Sequence, residues 1–319
     1  MTAATDFAPL NIAASYEVAF TPDGQRLVAV GQRVAIWNLA TRKRQGAYRP
    51  FAHPSSVDVS PSGAHCIVKS TGGELALMSL DAQPVITKVP VREAAEGAAA
   101  LFSPCGEFVV DAGWDGGLAV RALPSGKVQF KKTFRNRMLP HLACDARREL
   151  YVFHRHATSE KPVGPADELV LRRWPFDAHP EVSIAGDWAM DVAVTPSPDG
   201  RRLGVAQRDR LSVVDVATGA TLAARALDDG VSVDISVAWS PDGALLACIE
   251  SQQVSFFDAA TLARRARHAL AYASDVAFSP DGRLVALGSW EKGVVMAVGD
   301  LAPWAEGDPV ATRETVGIA

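Results

Sequence analysis

Short runs of alternating apolar and polar residues occupy nearly the whole chain. Residues 18–20, Val-Ala-Phe, and 27–30, Leu-Val-Ala-Val, are typical, and a turn sequence separates them. Alternation with a period of two residues places every second side chain on one face of an extended segment. Two such runs joined by a turn predict an antiparallel hairpin of β-strands.

A tetrapeptide that ends in glycine forms the turn of each predicted hairpin. Proline presets φ at the second position, aspartate bonds the local backbone, and glycine accepts a positive φ. The six copies lie at residues 21–24, 60–63, 103–106, 197–200, 240–243 and 279–282. Successive glycines are 39 or 43 residues apart, except for one interval of 94 residues, in which Cys-Asp-Ala-Arg at 144–147 takes the place of the turn. The chain therefore contains seven repeats, and the fourth has the weakest turn.

Each repeat continues with a third strand about 14 residues after its glycine, such as 211–215 or 254–258, and a short fourth strand follows. Each repeat is therefore predicted to be a four-stranded meander. A meander of about 40 residues cannot bury both of its faces alone, whereas several arranged around a channel can. The sequence predicts an all-β fold, a seven-bladed β-propeller with four-stranded antiparallel blades.

The repeats resemble those of the WD-repeat family. The likeness is best at 278–282 with 288–293, at 102–117 and at 36–41, and it extends over about residues 14–300. The family's Gly-His pair is missing almost everywhere, and the tryptophan of its Trp-Asp pair is kept only at Trp37. Asn38, Asp215 and Asp258 stand at the aspartate position. The chain is therefore similar to a divergent member of that family.

The two ends of the chain fall outside the repeats. Residues 1–13 contain an alternation at Phe7, Leu10 and Ile12, and in the resembling family an N-terminal strand completes the last blade. We therefore expect one domain over residues 1–301, whose ring is closed by residues 1–13. Residues 302–319 carry Pro303, Pro309 and mixed charges, which predict a loose tail, with a closing strand as the alternative.

Composition and charge exclude several classes of protein. With 21% charged residues and a net charge of −4, the chain is neither a disordered acidic tail nor a polybasic nucleic-acid binder. Its four cysteines form no Cys-x-x-Cys pair, which argues against a zinc ribbon or a disulfide scaffold. The first residues predict no signal peptide, and the apolar runs fall well short of the roughly 18 residues that span a bilayer. We expect a cytoplasmic protein that is monomeric by itself and contacts neither membrane nor nucleic acid.

Motifs for catalysis or cofactor binding are missing from the sequence. The glycines belong to turns, and neither a dinucleotide fingerprint, nor a phosphate-binding loop, nor a Gly-x-Ser-x-Gly elbow occurs. His154 and His156 alternate on one strand, as two metal ligands would, but further ligands are not close in sequence. We interpret this pair as the start of an exposed loop, and we expect no catalytic residue, cofactor or metal.

The strand order also predicts which loops lie together. In the resembling family, connections from second to third strands and from blade to blade share one side of the ring. Aromatic and basic residues in such connections are typical of binding surfaces, and carboxylates near the start of the first strands are expected to surround the channel mouth. The candidate partner-binding residues are Glu17, Trp114, Arg137, Trp188, Asp191, Tyr272, Asp275 and Trp290.

Two functions fit these sequence features. The leading hypothesis is a non-enzymatic platform that binds another protein across the loop-rich side, as an assembly scaffold or as a neutraliser of a toxic protein. The alternative is a hydrolase similar to the lactonase-like propellers, which would use His53, His141 and carboxylates at the channel mouth. A broad aromatic face favours the first hypothesis, and converging histidines in a deep polar channel favour the second.

Overall fold

The protein is a ring of seven antiparallel β-sheets around a central channel. The computed structural model describes residues 7–91, 99–135, 137–147, 149–156, 166–188, 192–207, 209–227, 235–250 and 252–303. In these residues it shows β-strands and a single 3-10 turn at Val298–Asp300. The predicted all-β, seven-bladed fold is confirmed.

The first three blades are meanders of four strands in sequence order. Blade one contains β2 Glu17–Phe20, β3 Arg26–Val30, β4 Val34–Asn38 and β5 Lys43–Tyr48. Blade two contains β6 Pro54–Val59, β7 His65–Ser70, β8 Leu75–Ser79 and β9 Ile86–Val89. Blade three contains β10 Ala100–Phe102, β11 Phe108–Ala112, β12 Gly117–Ala122 and β13 Val128–Thr133.

The next three blades repeat this order. Blade four contains β14 Arg137–Cys144, β15 Leu150–His156, β16 Ala166–Arg173 and β17 Val182–Trp188. Blade five contains β18 Ala193–Pro196, β19 Arg202–Gln207, β20 Arg210–Asp215 and β21 Thr221–Ala226. Blade six contains β22 Val237–Trp239, β23 Leu245–Glu250, β24 Gln253–Asp258 and β25 Arg264–Ala269.

Blade seven is completed by the start of the chain. It contains β26 Ala273–Phe278 and the long strand β27 Leu284–Ala297, which folds back so that the Val298 amide donates to the Arg283 carbonyl. The outer half of β27 pairs with β1, Leu10–Ser15, in antiparallel register. The N-terminal strand therefore closes the ring, as the sequence predicted.

The C-terminal end differs from the prediction of a loose tail that starts at residue 302. Ala302–Pro303 form a short strand, β28, which pairs with the outer strand of blade six through Ala266 and Arg267. Two residues of the predicted tail are thus held as a fifth strand of that blade. Residues 304–319 lie outside the described part of the chain.

The middle strands of the blades form the core. In β3, residues Leu27 to Val30 are at most 3% exposed, and β7 and β23 are similarly buried. Both faces of these strands are covered because each sheet lies between two others. The outermost strands are much more exposed, as in β5 and β21. Burial therefore follows the position of a strand within its blade.

The repeated turn is held by the first residue of the tetrapeptide. In blade one the Thr21 hydroxyl lies 2.5 Å from Asp23 and accepts the Arg26 amide, while the Gly24 amide donates to the Thr21 carbonyl. Serine does the same in blades five, six and seven. In blade four the Asp145 carboxylate accepts the amides of Arg147 and Glu149 instead. The substitute turn that the sequence indicated is confirmed.

Neighbouring turns touch around the ring. A Cβ added to a turn glycine would lie 3.4 to 3.9 Å from the proline Cδ of the preceding blade's turn. The five pairs are Gly24 with Pro280, Gly63 with Pro22, Gly106 with Pro61, Gly243 with Pro198, and Gly282 with Pro241. The turn of blade four has neither proline nor glycine, so Pro104 of blade three has no such partner.

The residues at the aspartate position of the repeat cap a second turn. Asn38, Asp215 and Asp258 each accept hydrogen bonds from the amide and the hydroxyl of the threonine three residues later. These bonds lower the pKa of Asp215, and together with the Arg265 guanidinium they lower the pKa of Asp258. The carboxylates therefore order the connection to the fourth strand.

Closure by β1 generates the first prediction. Ile12 is 2% exposed and packs in the core shared by β1, blade one and blade seven, whereas its neighbour Asn11 is exposed. Ile12→Ala should lower the free energy of unfolding by about 2–5 kcal/mol, because it removes buried apolar surface and leaves a cavity. Asn11→Ala is the matched control and should change it by less than about 0.5 kcal/mol. Equal effects in chemical denaturation would contradict the closing role of β1.

Candidate partner-binding face

The first strands of the blades enclose a central channel with a cavity of about 1630 Å³. Because each blade is a meander, its two kinds of connection lie at opposite ends of the channel. We call the side that carries the tetrapeptide turns the turn face, and the side with the second-to-third-strand and blade-to-blade connections the loop face. Pro22, Pro61 and Pro241 line the channel at the turn face. Trp114, Trp290 and His53 line it at the loop face.

Carboxylates in the channel wall join neighbouring blades. Glu17 in β2 accepts the Val57 amide of blade two at 2.6 Å. Asp275 in β26 accepts the Val18 amide of blade one at 2.8 Å, and the Ser236 hydroxyl of blade six donates to it at 2.7 Å. The two carboxylates that the sequence places at the channel mouth thus have a structural role in the wall. Their part in partner binding stays a prediction.

A third carboxylate follows the same principle at another level of the channel. Asp58 in β6 accepts the Phe102 amide of blade three at 2.7 Å. A hydrogen bond from a buried amide to a carboxylate is stronger than one between neutral groups. These bonds therefore fix the spacing of the first strands in blades six, seven, one, two and three.

The environment of Glu17 disfavours its charge. Burial is the largest cause and raises its pKa well above the ordinary value, and the nearby Asp275 raises it further. The hydrogen bond from Val57 acts in the opposite direction. Desolvation at this position therefore favours the neutral form of the Glu17 carboxyl group.

Asp191 does not belong to the same ring of positions. Ala193 pairs with Ala206 in the same way as Glu17 pairs with Val30. Ala193 and Glu17 each lie four residues before the serine or threonine that begins the turn. The position in blade five that corresponds to Glu17 and Asp275 is therefore Ala193, whereas the expectation from the sequence was Asp191. The part of Asp191 in partner binding stays a prediction. Asp191 itself lies outside the described residues.

Three exposed aromatic side chains lie on the loop face. Trp114 is 44% exposed in the connection between β11 and β12, Tyr272 is 51% exposed before β26, and Trp290 is 50% exposed where β27 folds back. The Tyr16 ring stacks on Trp290 with 4.2 Å between ring centroids, and the Trp290 amide donates to the Tyr272 carbonyl. Tyr16 and Trp290 thus form one aromatic patch at the junction of blades seven and one, and the backbone of Tyr272 adjoins it.

Tyr16 is a member of this patch that the sequence did not indicate. It precedes Glu17 in the connection from β1 to β2, whereas the predicted aromatic residues were tryptophans and Tyr272. The sequence signal that could have identified Tyr16 was its position in a connection between strands. Trp114 lies apart from the patch, in blade three, but it also lines the channel.

The remaining two candidates differ from expectation in their position. Arg137 is the first residue of β14 and is half-buried, and its buried Nη1 atom has no hydrogen-bond partner among the described residues. Burial and the nearby Arg137 lower the pKa of Arg172. Trp188 was expected in a connection between strands, but it is the last residue of β17 and pairs with Ala166. Only its backbone is described.

The basic run that leads into blade four is partly packed against aromatic rings. The Lys132 ammonium lies 5.4 Å from the centre of the Phe134 ring and 5.0 Å from that of Phe176. Cations over aromatic faces are stabilised by the ring quadrupole. At least one cation of this run therefore has a structural contact.

The histidines do not assemble into a metal centre in the described residues. His53 and His141 line the channel, and burial lowers the pKa of His141 to about 4, so that its imidazole is neutral at pH 7. His154 was expected at the start of an exposed loop, but it is 2% exposed inside β15 and packs on Phe134. Across the described ranges, His, Cys, Asp and Glu form no group of three or more that would hold a metal ion.

The comparisons with known proteins establish the fold class. The chain is similar in structure to hydrazine synthase from Kuenenia stuttgartiensis, with a TM-score of 0.70, 15% identity and coverage of 93% of this chain and 97% of that one. No protein-family model matches, and no curated protein matches. At 15% identity the likeness shows a shared seven-bladed propeller fold and nothing of the function. In the residues that the structure describes, no helix has the length and apolar character to cross a membrane.

Glu17 generates the second prediction. Glu17→Gln keeps an oxygen that accepts the Val57 amide and removes a charge that burial disfavours. At pH 7.5 this variant should therefore be at least as stable as the wild type, whereas Glu17→Ala should lose about 1–3 kcal/mol because the buried amide loses its acceptor. Chemical denaturation at several pH values would measure both differences.

The pH dependence has a defined sign. Because the folded pKa lies above the unfolded value near 4.5, the folded protein keeps its Glu17 proton longer than the unfolded chain does. Wild-type stability should thus fall relative to the Glu17→Gln variant as pH rises from about 4.5 through the folded pKa. Glu107→Gln, at an exposed glutamate, is the control, and its stability should depend on pH in the same way as that of the wild type. A Glu17→Gln curve parallel to the wild type at all pH values would contradict this account.

Proposed function

We propose that the protein is a non-enzymatic platform that binds another protein on its loop face. The observation that carries this proposal is the exposure of Trp114, Tyr272 and Trp290 on one face around the channel mouth. Exposed aromatic rings are enriched in interfaces, where they supply large contact areas at a low cost in side-chain entropy. A rigid ring of packed blades holds them in fixed positions.

The distribution of the other exposed apolar side chains supports this choice of face. Val85, Ile86, Val128 and Leu222 lie in the outermost strands or just before them, on the rim of the ring. They are aliphatic and belong to three different blades. Scattered surface aliphatic residues are ordinary in monomeric proteins, whereas three aromatic residues that share a face with the channel mouth favour recognition.

The partner would be a protein of the same compartment, and we propose the cytoplasm for both. We also propose that the chain is a divergent WD-repeat protein. The tetrapeptide turns and the capping by Asn38, Asp215 and Asp258 support this relationship. The proposal includes both an assembly scaffold and a neutraliser of a toxic partner, because each would use the same exposed face.

The alternative is a hydrolase similar to the lactonase-like propellers. His53 and His141 line the channel together with Glu17 and Asp275, which favours it. However, both carboxylates accept backbone amides from the next blade, so they are committed to the wall. We therefore place this candidate second. Hydrolysis of a lactone panel by the purified protein, lost in His141→Ala, would support it.

The third prediction tests the platform. The protein is tagged and purified from its native cell, and the partner that co-purifies is identified and produced separately. Trp290→Ala or Tyr272→Ala should then weaken binding by about 2 kcal/mol or more, roughly thirtyfold, because each removes an exposed aromatic anchor. Isothermal titration with the purified partner measures the change.

The control for this prediction is Leu222→Ala. Leu222 is 57% exposed on the rim strand β21, so its truncation removes a similarly exposed apolar side chain far from the loop face. It should leave the affinity unchanged. Loss of binding in Leu222→Ala with full binding in Trp290→Ala, Tyr272→Ala and Trp114→Ala would reverse the choice of face. Charge reversal at Asp275 is unsuitable here, because Asp275 joins three blades.

A further inference from the structure

A second cavity lies between blades three and four, on the turn face and away from the proposed partner site. Its volume is about 540 Å³, within the range of sites that hold small organic molecules. Side chains of both blades line it, and most of them are apolar. The apolar lining consists of Phe102, Phe108, Val110, Val120, Phe130, Leu150 and Trp174.

Among the described residues, the seam at this cavity lacks two contacts that join other blades. In blades one and five, the first residue of the tetrapeptide turn donates its backbone amide to the carbonyl of an arginine at the start of the second strand. Arg26 crosses to the carbonyls of Leu80 and Gly63 in blade two, and Arg202 stacks over Trp239 of blade six. In blade three the corresponding residue is Phe108, which lines the cavity and has an apolar side chain that cannot make such a polar contact with blade four.

The second missing contact is the one between turns. Blades two, six and seven have His65, Leu245 and Leu284 at the position of Phe108, but their turn prolines or glycines still meet those of a neighbour. At the seam between blades three and four, both the crossing arginine and the proline–glycine contact are absent from the described residues. The seam between blades four and five lacks them too, but there Arg147 donates to the Asp199 carbonyl. Between blades three and four, apolar side chains of both sheets pack together, and the open space lies beside that packing.

The rings that line this space are incompletely covered. Phe108, Phe130 and Trp174 are each half-buried, and Phe130 meets Trp174 edge to face at 5.0 Å between centroids. Apolar surface that faces water is unfavourable in free energy. A ligand that covers these rings would gain that free energy without rearranging the blades.

The charges at the cavity indicate what kind of ligand fits. Arg147 lies 3.0 Å from Asp145 and 3.4 Å from Glu149, so its guanidinium is already neutralised by the two carboxylates of its own turn. Among the described residues that line the cavity, the charged ones are Arg147 and Glu149. An anionic ligand would meet the carboxylates and a cationic ligand would meet the arginine, whereas a neutral ligand needs no counterion.

We propose that the cavity between blades three and four is a binding site for a neutral, mainly apolar small molecule with an aromatic ring. The ring stacks among Phe108, Phe130 and Trp174, and a polar group of the molecule reaches Gln129 or Ser103 at the edge of the site. This site is independent of the proposed platform function, because it lies on the opposite face.

The fourth prediction tests this site with 1-aminoanthracene, which is uncharged at pH 7.5 and fluoresces more strongly in apolar surroundings. The wild-type protein should bind one equivalent with saturable fluorescence. Phe108→Arg, which introduces the side chain found at Arg26 and Arg202, should weaken binding by more than about tenfold. Val120→Trp, which fills the cavity from β12, should do the same.

Leu77→Trp is the matched control. Leu77 is half-buried in β8 and occupies in blade two the position that Val120 occupies in blade three. In both blades this position lies three residues before the residue whose amide donates to the carbonyl that precedes the second strand. It does not line the cavity. Circular dichroism confirms which variants fold, and either cavity variant alone is sufficient for the test.

The outcomes separate the proposal from its alternatives. Saturable binding that is lost in a folded cavity variant and kept in Leu77→Trp supports the site. Absence of saturable binding in the wild type overturns it. Binding that persists unchanged in a folded Phe108→Arg or Val120→Trp variant places the probe elsewhere, for example in the channel, and also overturns it.

Discussion

The whole architecture depends on a requirement of burial: a four-stranded sheet with two apolar faces is stable only between two neighbours, so the row of blades has to close into a ring. Closure takes place in blade seven, where β1 supplies the outer strand. The same junction is joined by side chains, because Asp275 accepts the Val18 amide and the Ser274 hydroxyl donates to the Ser15 carbonyl. The channel, the loop face and the turn face exist only in the closed ring.

The repeated local chemistry is what made the fold predictable from the sequence. A turn of Ser/Thr-Pro-x-Gly uses interactions within a few residues, and the structure shows those interactions in successive blades. Even the irregular turn at Asp145 follows the same logic, since a carboxylate replaces the hydroxyl as acceptor. Contacts of this range are encoded in the neighbouring residues alone.

The sequence-based expectations that the structure corrects concern interactions between residues distant in sequence. Glu17 and Asp275 stand at equivalent positions, but the sequence does not show whether a carboxylate there points to solvent or binds the next blade's backbone. His154 has a polar neighbour sequence, yet Phe134 from the preceding connection covers it. The short strand β28 depends on the exposed edge of blade six, which no local pattern indicates.

Two faces of the ring thus have different characters. The loop face offers exposed aromatic rings around the mouth of a wide channel, which suits a large partner. Prolines line the channel at the turn face, and the apolar cavity between blades three and four opens beside them, which suits a small molecule. The buried middle strands separate the two faces, so the connections of one face can vary in sequence independently of those of the other.

The missing contacts between blades three and four also bear on how the ring comes apart. A closed ring comes apart at one of its seams, and a seam that lacks joining interactions opens more readily. The remaining blades then lose their mutual cover. The rate of that opening, rather than the average packing of the seven blades, sets the lifetime of the native state. A molecule bound in this cavity would contact both blades, and it would slow unfolding because the seam could not open until the molecule was released.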